Sequence, residues 1–135
     1  FSQAHANALV MYSRGSSSSR RFEKPSDYYK TLTPTQAKTA RSIFKVLMTK
    51  YPSLELVIAW NQPMLKYGDA YVFGLTATKR YLLIAPWSQD VLKKFMPRLK
   101  ELDVNKKTIA IPSDWSIDGK LLCDMVRARM KEVKP

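Results

Sequence analysis

Residues 54–85 read LELVIAWNQPMLKYGDAYVFGLTATKRYLLIA, and the fold turns on this stretch. It holds three apolar, partly β-branched runs, Leu54 to Trp60, Ala70 to Leu75 and Tyr81 to Ala85, separated by Gly, Asn, Asp, Thr and Lys. β-Branched and aromatic side chains suit a pleated, half-buried surface, and the residues between them are turn formers, so the stretch predicts an antiparallel meander. Tyr67-Gly68-Asp69 marks one turn and Thr78-Lys79-Arg80 another. Lys107 to Ile111 offers one more short strand, stopped by Pro112.

Helical spacing takes over on both sides. Thr33-Pro34-Thr35-Gln36 combines a capping residue, a proline at the first helical position and the glutamine of a capping box. Ala37, Ala40, Ile43, Phe44, Leu47, Met48 and Tyr51 then form one apolar stripe that Pro52 ends. Ser88 can cap a second helix with Val91, Leu92, Phe95, Met96, Leu99 and Leu102 inward, and Pro97 must kink or break it. A last helix runs from about Asp118 to Lys131, with Leu121, Leu122, Met125 and Val126 inward and Arg127, Arg129 and Lys131 mostly outward. Strands that follow one another without intervening helices do not build a parallel sheet. The order therefore predicts an α+β fold: an antiparallel sheet of four to five strands with helices packed on one face.

At 135 residues and 45% hydrophobic, the chain is the size of one domain and can bury a core without disulfides. Residues 1–25 stand apart as a basic Ser/Arg-rich tail, with a serine run from Ser16 to Ser19 and no acid before Glu23; residues 26–135 form the domain. Acid-poor leaders of this kind resemble organellar transit sequences, and Phe1 in place of an initiator Met fits processing or trimming alike. An intracellular protein is expected, mitochondrial in preference to cytoplasmic. Cys123, the single cysteine, rules out an internal disulfide framework and suits a buried structural thiol. No apolar run is long enough for a membrane span, so a soluble or peripheral protein is expected.

Little of the machinery of catalysis is present. One His, in the tail, and one Cys cannot assemble a catalytic zinc site, and a nucleophile would have to recruit His5 as its base. Four glycines, at 15, 68, 74 and 119, make neither a dinucleotide fingerprint nor a P-loop. The eleven acids are scattered; Glu101 with Asp103 and Asp114 with Asp118 come nearest to pairs, and each suits helix-end charge placement or, as the alternative, a weak cation site. No catalytic residue, metal site or cofactor is expected.

From about Tyr29 to Val133 the chain resembles the YdhG-like domain family, whose members are often labelled intracellular iron chaperones or frataxin-like. Val57-Ile58-Ala59-Trp60-Asn61-Gln62-Pro63-Met64 resembles the family's strand and turn, and Tyr81-Leu82-Leu83-Ile84-Ala85-Pro86-Trp87 its next strand. Lys107-Thr108-Ile109-Ala110-Ile111-Pro112 and the closing helix with Val126-Arg127-Ala128-Arg129 complete the match. The resemblance implies iron as a possible cargo, held on an acidic ridge of exposed carboxylates. This chain departs from that pattern, because its first predicted helix carries Lys38, Arg41, Lys45 and Lys50 and no acid from Pro34 to Tyr51.

Two surfaces remain as candidates. Trp60, Asn61, Gln62 and Met64 at a strand end can meet Trp87 and the Lys106-Lys107-Thr108 segment across the sheet in a small cleft; alternatively the tryptophans are rim aromatics and the amides serve the turn. Net charge is +12, which draws the chain toward anionic partners. Arg14, Arg20, Arg21 and Lys24 in the tail, with Lys38, Arg41 and Lys45 on the helix, are the docking candidates. A larger protein complex or a ribonucleoprotein with an acidic surface is the expected partner. Tyr28-Tyr29-Lys30 can stack on bases or pack on the first helix, and any nucleic-acid binding is expected to be non-specific, since no RNA-recognition signature is present.

Overall fold

The computed structural model describes residues 21–133. The capping box forms as the sequence predicts: Gln36 N donates to Thr33 Oγ1 at 3.1 Å and Thr33 N to Gln36 Oε1 at 3.4 Å. Helix α2 (Pro34–Lys50) starts there, preceded by a short helix α1 (Pro25–Tyr29). The predicted stripe of α2 faces inward, with Ala37, Ala40, Ile43, Phe44 and Leu47 buried and Met48 and Tyr51 packed at its edge.

Four strands follow, β1 (Glu55–Ala59), β2 (Gln62–Tyr67), β3 (Ala70–Ala77) and β4 (Tyr81–Ala85). With β5 (Asp103–Val104) and β6 (Ile109–Pro112) they form an all-antiparallel sheet in the order β1-β2-β3-β4-β6-β5. The sheet thus has six strands where the sequence predicts four to five. β2 escapes a sequence reading because Pro63 lies within it, and proline argues against an internal strand. Here it stands opposite Ile58, one residue before Met64 meets Gly74 of β3. β5 has two residues, too few to carry an alternating pattern. The β2–β3 turn falls where predicted, with Gly68 at φ 63, a conformation that a residue without Cβ adopts freely.

Helices cover one face of the sheet, as expected. Leu65, Phe73, Leu75, Leu82, Ile84, Ile109 and Ile111 share one core cluster with the buried residues of α2, α3 (Gln89–Phe95) and α4 (Gly119–Val133). Phe73 meets Phe44 edge-on at 5.8 Å. Pro97 breaks the second predicted helix after Phe95, and Met96–Arg98 continue as a 3₁₀ turn. That tighter winding turns Met96 out of the predicted buried stripe, to 45% exposure, while Leu99 stays buried.

Arg129 also departs from its predicted outward position. It is 8% exposed, its Nε donates to Tyr71 O at 3.0 Å, and a guanidinium nitrogen pairs with Glu132 at 3.3 Å. Phe22, on the tail side of the predicted boundary, packs edge-on against Tyr28 and is buried. Tyr28 and Tyr29 are core residues, so their rings cannot stack on bases. Tyr28 Oη instead shares a hydrogen bond with Thr76 Oγ1 and accepts one from Ala77 N, both at 2.9 Å.

Candidate functional site

The β1–β2 hairpin closes through Trp60 and Asn61, both left-handed at φ 51 and 60. A two-residue hairpin of this hand needs positive φ at both central positions; asparagine adopts it readily, whereas tryptophan adopts it only at a steric cost. Asn61 is further held by Phe22 N, which donates to its Oδ1 at 2.7 Å. Trp87, after β4, is left-handed as well, at φ 60. The two indoles lie 5.6 Å apart, and Tyr71 lies 4.9 Å from Trp60. Lys66 Nζ stands 5.8 Å from the Tyr71 ring.

Beneath these rings runs the register row Val57, Met64, Gly74, Ala85, on the sheet face opposite the helices. A Cβ at Gly74 would sit 2.7 Å from Met64 Sδ and 3.4 Å from Trp87 Cζ3, so a larger residue there must displace the end of the Met64 side chain. Gln62 is 1% exposed; its Nε2 lies 3.4 Å from Met64 Sδ, and its Oε1 has no hydrogen-bond partner among the described residues. Trp60, Gln62, Met64 and Trp87 thus lie together, with Asn61 in the turn. Tyr71 and Gly74 were not foreseen; the glycine within a strand pattern was the available signal.

Thr108 does not join them. It is fully buried, accepts from Asn105 Nδ2 at 3.3 Å and closes the β5–β6 turn through Asn105 N to Thr108 O at 2.8 Å. Lys106 is exposed and Lys107 half-buried beside it. Gly74→Leu is expected to destabilise the fold by about 1–3 kcal/mol through overpacking against Met64 and Trp87. Urea denaturation checks this, and tryptophan emission should shift as the indoles are displaced.

The other candidate surface is basic. Lys38, Arg41, Lys45 and Lys50 are all exposed along α2, with the Arg41 guanidinium 5.3 Å from the Tyr29 ring. Burial pushes the Tyr29 phenol up to about 12, an effect that Arg41 partly offsets. Arg21 and Lys24 are exposed before α1, whereas Arg14 and Arg20 lie outside the described residues. Between α2 and α4 opens a groove of about 660 Å³, walled by Lys45, Val46, Thr49 and Lys50 on one side and by Gly119, Lys120, Cys123 and Asp124 on the other. Sequence reasoning found Lys45 and Lys50 and missed Lys120 and the groove itself.

Asp124 is bonded to Arg98 at 2.8 Å and to Lys120 at 3.4 Å. The Arg98 hydrogen bond, helped by Lys120, holds its carboxyl below the usual carboxylate range. A folded-state value below the unfolded one stabilises above the unfolded value, and that contribution disappears as pH falls through the folded value. Asp124→Asn is therefore expected to lower Tm slightly at neutral pH, with the difference vanishing in acid; melting curves of both proteins across pH check it. Cys123 is half-buried, and burial raises its thiol above the ordinary range although Lys50 pulls it down.

The acids do not gather. Glu101, Asp103 and Asp114 are exposed, and Asp118 caps α4 by accepting from Leu121 N at 3.1 Å. Among the described residues, no three His, Cys, Asp or Glu side chains group as metal ligands, and no helix is long and apolar enough to cross a membrane.

A six-stranded antiparallel sheet with helices on one face defines a small α+β protein. A crystal structure of a DUF1801 family protein, YdhG, from Bacillus subtilis superposes with a TM-score of 0.74, at 24% identity over 79% of this chain and 88% of that one. An uncharacterized conserved protein from Lactobacillus casei ATCC 334 gives 0.55 at 23% identity, over 79% and 89% of the two chains. In sequence, the chain is 27% identical over 94 residues, 69% of its length and 76% of the other's, to a Bacillus subtilis (strain 168) protein named "Intracellular iron chaperone frataxin". No family model matches. The YdhG-like resemblance read from the sequence is supported, and the relatives, all bacterial, lend nothing to the mitochondrial reading.

Proposed function

We propose that this protein is a non-catalytic binding module that docks on the acidic surface of a larger assembly through the basic face of α2 and the rims of the α2–α4 groove. One observation carries the reading: Lys38, Arg41, Lys45 and Lys50 are exposed along a helix with no acid between Pro34 and Tyr51. Such a face attracts anions over several ångströms and repels cations. On this reading Trp60 and Trp87 serve as cover for the second sheet face.

Retention on an immobilised polyanion, or in the complex isolated from the source cell, is expected to fall steeply between low and moderate salt. Retention that does not change with salt would overturn the reading. Iron carriage, after the name of the Bacillus relative, is the competing one. Titration of the purified protein with ferrous iron separates them: saturable binding lost on replacing Asp114, Asp118 and Asp124 by alanine would favour iron.

A further inference from the structure

We infer that the groove between α2 and α4 seats an apolar side chain of an acidic protein segment, so that the anionic partner is a polypeptide and not a nucleic acid. The inference rests on the basic-face reading above and adds the partner's chemistry. The groove is open to solvent along its length, and its volume, about 660 Å³, has room for a bulky side chain laid in it with its neighbours. Its lining is mostly apolar between the lysines: Val46 and Thr49 on α2 face Gly119 and Cys123 on α4. Gly119 lets α4 come close to α2 at the groove floor, because a Cβ there would lie 3.3 Å from Val46 Cγ1.

Charge frames this apolar strip. Lys45 and Lys50 stand on the α2 rim and enter no ion pair among the described residues, while Lys120 stands on the α4 rim. The one carboxylate of the lining, Asp124, is already held by Arg98 and Lys120. A polypeptide with carboxylates on either side of a leucine or phenylalanine satisfies both features at once, anchor in the groove and charges on the rims. A nucleic acid would satisfy only the rims. No aromatic side chain lines the groove for a base to stack on, and a phosphate laid over the apolar strip would lose hydration without gaining a partner.

Cys123 is the chain's single cysteine and lines the groove, so its alkylation by a maleimide reports what occupies it. The full chain is titrated at one pH with three probes: a synthetic peptide alternating Glu and Leu, polyglutamate of equal charge, and polyuridylate. The Glu/Leu peptide is expected to slow alkylation roughly tenfold, the ratio for a site about nine-tenths occupied, while the other two bind and leave the rate within about twofold. Thr49→Glu, on an exposed position, and Val46→Asp are expected to abolish the protection, with circular dichroism verifying the fold. Equal protection by all three probes, or binding of the peptide with no protection, would overturn the groove assignment. Failure of every polyanion to bind at low salt would overturn the basic-face reading itself.

Discussion

Phe73→Ala is expected to destabilise the protein by about 3–5 kcal/mol, a large share of the roughly 5–15 kcal/mol that holds a domain together. Phe73 is fully buried on β3, a central strand, and meets Phe44 of α2 edge-on at 85°. Its removal deletes the ring's transfer energy and leaves a cavity at the contact between sheet and helices, where Leu47, Leu75 and Leu122 are themselves fully buried and have little room to collapse. A fall in Tm of roughly 10–20 °C should accompany it. Denaturant midpoints measured with an unchanged slope would assign the loss to the native state. A loss under about 1 kcal/mol would mean that this contact is not the core of the fold.

The triple replacement Lys38→Glu, Arg41→Glu and Lys45→Glu should leave the fold intact and remove most binding to an acidic partner. All three side chains are exposed on α2, and none enters an ion pair among the described residues. Each replacement changes the charge by two, so the net value falls from +12 to +6 and the field over the helix changes sign. Electrostatic steering raises association rates by about 10 to 1,000-fold, so association at low salt should slow by a factor in that range. At about 1 M salt, where screening acts within about 3 Å, variant and parent should converge. Surface plasmon resonance across a salt series checks both limbs; equal rates at low salt would place the docking surface elsewhere.

Legibility followed range. Helix α2 was readable to within a residue because its capping box, proline and apolar stripe are all local signals that agree. β1, β3, β4 and β6 were readable from short apolar runs between turn formers, whereas Pro63 masked β2 and brevity masked β5. Arg129 could be placed on its helix but not judged buried, because the carbonyl that satisfies its guanidinium belongs to Tyr71, on a strand far away in sequence. Met96 was misplaced because a 3₁₀ turn changes the angular step that a helical stripe assumes.

The candidate sites divide along the same line. Helical spacing alone puts Lys38, Arg41 and Lys45 on the outer side of α2, since the inner side is claimed by apolar residues, and the excess of positive charge needs no fold to be counted. The groove exists only once α4 packs beside α2 and the missing side chain of Gly119 comes opposite Val46. Likewise the meeting of Trp60, Tyr71 and Trp87 depends on left-handed backbone at two tryptophans and on a glycine that lets Met64 approach. Periodicity and charge are properties of neighbouring residues; concavity and close approach arise between segments distant along the chain, and packing alone brings those together.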